Sequence, residues 1–236
     1  MSRPATTAAA PITLALPKGR MLEESAALLT RAGYDVAPLA HPGRRLIFHL
    51  PVAGLRVILV RDQDVPTYVD AGAADAGIAG RDVLEEQGFD LYEPLDLGLG
   101  RCRLVLAEPL GLPAGERPHL HLRVATKYPR LVRRFLDSRG QSADIVKLYG
   151  SIELGPEAGL CDRVVDLVST GETLRQHRLR EVETLMEISA RLCVNRASLK
   201  LRRAPLDALC ARLAAALARG PARRRPRRPR PRRTAA

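Results

Sequence analysis

Apolar positions along this chain fall into short runs of strand length, and most runs end in glycine- or hydroxyl-rich loops that open into segments of helical period. Residues 162–174, DRVVDLVSTGETL, carry the pattern most clearly. Val164, Val165, Leu167 and Val168 read as a buried strand. Ser169, Thr170, Gly171, Glu172 and Thr173 supply turn chemistry, and Leu174 restarts an apolar pattern. The same order is expected at the other end of the chain, with a strand at 12–16, a loop at 17–20 and a helix at 21–32. In that helix Met21, Leu22, Ala26, Leu28 and Leu29 are the apolar positions, and Gly33 closes it. Further strands are expected at 46–50, 55–60 and 75–79 and just before Gly100, with short helices at 65–71 and 83–87. This alternation predicts an α/β sheet with helices on its faces.

Residues 98–101, with Gly98 and Gly100, read as a crossing into a second lobe. They are not a dinucleotide fingerprint, because the third glycine is missing and a strand follows where a helix should. In the second lobe, strands are expected at 103–107, 120–125 and 144–148, a loop at 109–118 and a basic helix at 128–138. Gly150, Ser151, Ile152 and Glu153 form another strand-to-helix turn. The β-capable segment 179–194 then carries the chain back, and 205–218 reads as a terminal helix with Leu206, Leu209, Leu213 and Leu217 on one side. The expected organisation is a flexible leader at 1–10, lobe I at 11–100 completed by 180–218, lobe II at 101–179, and a tail at 219–236. Two lobes joined by two crossings make a cleft faced by the glycine loops of both.

With 236 residues and 46% hydrophobic content, the chain can bury a sizeable core. Its formal charge of +12 suggests nucleic acid until its location is considered. Nine arginines and no acid lie at 219–236, and removing those nine charges from +12 leaves the body at only +3. Arginine and proline without apolar residues cannot form a core, so the tail is expected to be extended and disordered. It has no aromatics to stack on bases, which argues against a nucleic-acid role. Cys102, Cys161, Cys193 and Cys210 contain no C-x-x-C pair and read as reduced, mostly buried thiols. The chain has no run of eighteen apolar residues and no persuasive export signal, so a cytoplasmic location without membrane contact is expected.

The loops carry the candidate chemistry. At 169–173 a strand-to-helix turn presents backbone N–H groups, Gly171 admits an anion close to the main chain, and Ser169, Thr170 and Thr173 add donors. That reading is a phosphate cradle. The alternative is a capping box, since Ser169 and Glu172 have the S-x-x-E spacing that closes a helix start with no ligand. Asp162 and Asp166 beside the loop suggest ribose hydroxyls or a magnesium ion. Lys18 and Arg20 flank Gly19 at a helix start, a second anion-binding arrangement. Arg61 places a cation at a helix start, against the macrodipole, whereas Asp62 and Asp64 are ordinary there. Gly77 and Gly80 leave room for a flat ligand, although a tight strand-to-helix turn explains them equally well. His119 and His121 share a strand face but lack a third metal ligand.

Taken in order, these stretches resemble the ATP phosphoribosyltransferase family, which begins histidine biosynthesis. The resemblance rests on LPKGR (16–20), VRDQDVP (60–66) followed by YV (68–69), DAGIAG (75–80), ATKYP (125–129), GSIE (150–153) and DLVSTGETL (166–174). It implies a two-lobed fold like type II periplasmic binding proteins, with a cleft between the lobes. Because only the arginine tail follows residue 217, the chain resembles the short form of the family. That form pairs with a catalytically inactive subunit related to histidyl-tRNA synthetase, which implies a hetero-oligomer. The implied substrates are ATP and phosphoribosyl pyrophosphate, with Mg2+ as cofactor. By resemblance, Ser169, Thr170, Gly171, Glu172 and Thr173 would take the 5-phosphate, and Asp166 and Glu153 the ribose hydroxyls or magnesium. Lys18 and Arg20 would meet the pyrophosphate, while Arg61, Asp62, Gly77 and Gly80 would shape the ATP side. Tyr149, Gly155 and the Arg/Pro tail depart from the family pattern. Two rival readings are a non-catalytic two-lobed binding protein and, through the tail, a nucleic-acid binder.

Overall fold

A computed structural model describes residues 10–111 and 122–220. The leader up to residue 9, His119 and His121, most of the 109–118 loop and residues 221–236 of the Arg/Pro tail lie outside the described residues. The first part of the chain runs β1 (Ile12–Pro17), α1 (Arg20–Arg31), β2 (Ile47–Leu50), β3 (Leu55–Val60), α2 (Val65–Asp70), β4 (Ala76–Gly80), α3 (Arg81–Gln87) and β5 (Tyr92–Asp96). The middle runs β6 (Cys102–Pro109), β7 (Arg123–Thr126), α4 (Pro129–Asp137), β8 (Asp144–Lys147), β9 (Arg163–Val168) and α5 (Glu172–Gln176). The chain ends with β10 (Leu179–Ile188), β11 (Ala190–Val194), α6 (Arg196–Leu201) and α7 (Arg203–Ala218).

β1 and β3 are apolar on both faces, as central parallel strands need to be. They pair in parallel from Ile12 opposite Leu55 to Pro17 opposite Val60, and β4 joins the other edge of β1. The first sheet has the order β2-β3-β1-β4-β11-β5, and the second β10-β6-β9-β7-β8. In the second sheet β7 pairs in parallel with both β8 and β9, while β6 pairs antiparallel with β9 and β10. Parallel strands therefore end their runs at one edge of each sheet, and the loops that carry chemistry follow β1, β3, β4, β7 and β9.

The returning segment differs from expectation. Residues 179–194 are two strands in two sheets, divided at Ser189: β10 pairs with β6 in the second sheet, and β11 lies between β4 and β5 in the first. The crossing back thus lies at Ser189 rather than at 180. Burial explains the division: β10 is an edge strand with exposed Glu181, Val182 and Glu187, whereas Ala190, Leu192, Cys193 and Val194 of β11 are fully buried. The two crossings hold each other, with Leu97 N–H donating to Ala190 C=O and Ala190 N–H to Leu99 C=O, both at 2.9 Å.

The C-terminal return is fastened to the first sheet by buried polar groups. Asn195 caps α6 by accepting from Ser198 N–H at 2.8 Å, and its amide donates to Val69 C=O at 2.8 Å. Asp75 accepts from Thr13 N–H at 2.8 Å and Ser198 Oγ at 2.9 Å, and pairs with Arg202 at 2.5 Å. α6 was not expected, and α7 begins at Arg203. The buried stripe of α7 is Leu206, Leu209, Leu213 and Ala216, while Leu217 only packs at its edge. These residues complete the core formed by α1, β1 and β3. Leu209 is fully enclosed, so Leu209→Ala should cost about 2–5 kcal/mol of stability, measured as a lower urea midpoint with little change in slope.

Candidate active site

The principal cleft has a volume of about 500 Å³ and lies between the two sheets. From the first lobe it is lined by Lys18 and Arg20 after β1, Arg61 and Asp62 after β3, and Gly80 and Asp82 at the junction of β4 and α3. Leu167 and Ser169 close it from the second lobe. Gly19 caps α1 with φ +76°, a left-handed value that favours glycine and lets Lys18 and Arg20 flank the helix start. Arg20 is exposed and meets Glu24 at 3.3 Å. Neither Lys18 nor Arg61 pairs with a carboxylate among the described residues, so two exposed cations face the cleft without a protein counter-charge.

A second, smaller hollow of about 120 Å³ is formed by the loop from Ser169 to Thr173 with Glu153, Asp166 and Leu174. Leu167 and Ser169 line both spaces, so the loop opens on the main cleft. The capping-box alternative does not form. Gly171 is the N-cap of α5, with φ +78° and no side-chain cap. The Glu172 carboxylate turns outward to Arg175 at 2.6 Å and to Gln176 at 3.3 Å. The hydrogen bond from Arg175 holds the Glu172 carboxyl below the usual range. Thr170 Oγ1 stands 3.5 Å from Glu172 N–H, at the limit of a hydrogen bond. The loop thus keeps backbone and hydroxyl donors free for an anion, the arrangement found where helix starts bind phosphate.

Asp166, near the end of β9, accepts from Leu167 N–H at 2.8 Å. Burial raises its pKa, the charge of Glu153 raises it further, and the ammonium of Lys127 opposes both. Two acids thus repel each other at the floor of the loop. On the opposite wall Asp82 is 5% exposed, and its Oδ2 accepts from Tyr128 Oη at 2.7 Å. Burial raises the Asp82 pKa against the opposing hydrogen bond from Tyr128, and raises that of Tyr128 as well. Cys102 lines the same cleft, and burial pushes its thiol up to about 11, which keeps it neutral.

The structure thus gathers Lys18, Arg20, Arg61, Asp62 and Gly80 at one cleft, and Glu153, Asp166, Ser169, Thr170, Gly171, Glu172 and Thr173 around the adjoining loop. Gly77 is not brought there. A Cβ on it would meet Val65 Cγ1 at 2.6 Å and Val69 Cγ2 at 2.9 Å, so this glycine lets α2 pack on β4. Gly80 has a local reason too, since a Cβ there would meet Asp82 Oδ1 at 2.2 Å. Sequence reasoning assigned no role to Asp82, Lys127 or Tyr128. The signal for them was present: Asp82 lies two residues after Gly80 at a strand-to-helix turn, and the other two lie in the ATKYP stretch.

A family model described as "ATP phosphoribosyltransferase" matches residues 61–215. The chain is 53% identical over 193 residues to "ATP phosphoribosyltransferase 2" of Geobacter sulfurreducens, covering 81% of this chain and 91% of that protein. Among solved structures it is similar to a chain of the "ATP phosphoribosyl transferase (HisG:HisZ) complex from Thermotoga maritima". That match has a TM-score of 0.75 and 31% identity, and covers 88% of this chain and 99% of the other. A putative L-cystine ABC transporter protein from Listeria monocytogenes shares the fold at TM-score 0.55 and 10% identity, covering 89% of each chain.

Because folding raises the Asp82 pKa, the fold favours the protonated acid. The stability this group contributes is complete below its ordinary value of about 4 and is lost as pH rises through the raised value in the fold. Asp82→Asn lacks that dependence. The melting temperature of the wild type relative to Asp82→Asn should therefore fall as pH increases from about 4 to 7, as read by calorimetry at each pH. A difference that stays flat or rises would refute the sign.

Proposed function

Because the chain belongs to the ATP phosphoribosyltransferase family, we propose that this cleft is where its two anionic substrates meet. The activity is transfer of phosphoribosyl from phosphoribosyl pyrophosphate to ATP, the first step of histidine biosynthesis. The observation that carries the site reading is the uncapped loop from Ser169 to Thr173, which opens toward the unpaired cations Lys18 and Arg61 across the cleft. One side offers neutral donors suited to a terminal phosphate, and the other offers full positive charge suited to a pyrophosphate.

In the reaction, the N1 lone pair of adenine forms a bond to C1 of the ribose. The C1–O bond to pyrophosphate breaks, and pyrophosphate leaves with that electron pair. N1 has its lone pair free from the start, so no general base is needed to expose it. The protein's task is to hold two anions in line and to stabilise charge growing on the leaving group. In this reading Ser169, Thr170, Gly171 and Thr173 hold the 5-phosphate, and Asp166 and Glu153 face the ribose hydroxyls. Lys18 and Arg20 meet the pyrophosphate, while Arg61, Asp62 and Gly80 border the ATP. Glu172 supports the loop by its pairing with Arg175 instead of touching the anion. Gly77 acts by packing.

Asp166 and Glu153 also fit a magnesium ion, since a divalent cation would offset the burial and the repulsion by Glu153 that raise Asp166. Among the described residues no group of three or more His, Cys, Asp or Glu could hold a metal, so substrate oxygens would have to supply the remaining ligands. Magnesium bound there would neutralise phosphate charge. The Thermotoga maritima relative comes from a two-protein complex, and this chain likewise works in a hetero-oligomer with a regulatory subunit. We propose that this subunit resembles histidyl-tRNA synthetase, and that the assembly is cytoplasmic. No helix among the described residues is long and apolar enough to cross a membrane.

Mixing the chain with ATP, phosphoribosyl pyrophosphate, magnesium and the regulatory subunit should yield phosphoribosyl-ATP by mass spectrometry. No product with the partner bound would overturn the reading in favour of a ligand-binding protein. Gly171→Val forces a β-branched residue to φ +78° and should raise KM for phosphoribosyl pyrophosphate at least about tenfold, whereas Arg20→Ala should lower turnover on the order of 10²-fold. Unchanged values in steady-state assays would remove those two roles.

A further inference from the structure

We infer that Lys127 is a further substrate-binding cation of this cleft and that its ligand is the leaving pyrophosphate; the assignment rests on the transferase reading above. Lys127 sits in the connection between β7 and α4, between two residues that are held rigidly. Thr126 is fully buried and its hydroxyl donates to Val165 C=O at 2.9 Å, while the same oxygen accepts from Tyr128 N–H at 3.0 Å. Tyr128 is 1% exposed and tied across the cleft to Asp82. The backbone on both sides of Lys127 is thereby fixed, which aims its side chain before any ligand arrives.

Apart from a cation–π contact with the Tyr128 ring, 5.9 Å from Nζ to the centroid, the ammonium has few partners. Its side chain is 21% exposed, and its counter-charge is Asp62, at 3.6 Å, beyond good hydrogen-bond range. Among the described residues it makes no hydrogen bond, although an ammonium carries three donors. It also lies within electrostatic reach of Asp82 and Asp166, whose pKa values it lowers. These three acids come from three places: the loop after β3, the start of α3 and the end of β9. Lys127 therefore stands behind Asp62 and Asp82 of the main cleft wall and beside Asp166 of the loop hollow. Asp62 is itself exposed and free to release the ammonium to a stronger anion.

The position follows from strand pairing. β7 lies beside β9, with Thr126 opposite Val165, so Lys127 emerges one strand away from Asp166 at the same sheet edge. A ribose held at Asp166 with its 5-phosphate in the Ser169 loop would lie one strand from Lys127. Lys18 and Arg20 line the main cleft together with Asp62. As the C1–O bond breaks, pyrophosphate takes the electron pair and its charge grows, and an ammonium already in place stabilises that charge most where little water intervenes. No proton changes hands.

The test compares wild type, Lys127→Met, Lys127→Gln and Lys127→Arg, each with the regulatory subunit, by pyrophosphate titration calorimetry, steady-state kinetics and thermal melting. The neutral variants should melt as wild type does, weaken pyrophosphate binding at least about tenfold, and lower kcat/KM for phosphoribosyl pyrophosphate on the order of 10²-fold, leaving KM for ATP little changed. Lys127→Arg should recover most of both losses. Neutral variants that bind pyrophosphate as tightly as wild type, or whose loss falls only on KM for ATP, would overturn the assignment. If wild type made no phosphoribosyl-ATP, the transferase reading would fail, while the pyrophosphate titration would still decide the role of Lys127.

Discussion

The hydroxyl of Tyr128 donating to the buried carboxylate of Asp82 is the contact on which the cleft depends. It joins the start of α4 in one lobe to the start of α3 in the other, and both partners are removed from water. A buried carboxylate without a donor would be costly, so the bond is favoured as soon as the lobes approach. Around it the same helices exchange outer contacts. Glu86 accepts from the N–H groups of Arg130 and Leu131, each at 3.0 Å, capping α4 from the neighbouring lobe. Burial alone would raise Glu85, yet hydrogen bonds from Arg134 and Arg81 hold its carboxyl below the usual range.

Once that seam is closed, the charge on either side of it acquires a meaning. The first lobe presents Lys18, Arg20 and Arg61, and the second presents a loop of neutral donors with two acids beneath it. A substrate with phosphates at both ends of a ribose matches this division. The acids would be liabilities in an empty protein, because burial and mutual repulsion raise Asp166. They make sense beside sugar hydroxyls or a divalent cation. Lys127 lies between the two territories, with Asp62 at 3.6 Å as its counter-charge.

Much of this was legible in the residues. The strands at the centre of each sheet carry mostly apolar runs of strand length, so they stand out, and the loops that follow them carry glycine and hydroxyls for local reasons visible in one dimension. Gly171 illustrates the case: a strand, a positive-φ residue and a helix start are all readable in sequence. Gly77 illustrates the opposite. It looked like a ligand-facing glycine, yet its missing side chain makes room for Val65 and Val69, a demand set by how closely α2 rides on β4. The capping box failed for a similar reason, since Glu172 has nearer partners in Arg175 and Gln176 one turn along. The continuous segment 179–194 concealed a change of sheet at Ser189, because β propensity does not say which edge a strand will join.

The sequence by itself determined the alternation of strands and helices, the two glycine-bearing strand-to-helix loops and the family to which their order belongs, since each depends on residues close together in the chain. Only the tertiary structure decided which charges meet. Asp82 and Tyr128 are 46 positions apart, and Lys127 finds Asp62 across the cleft from another sheet. Local propensity carries no information about such pairs, because their energies arise from burial and distance that exist only after the lobes have closed.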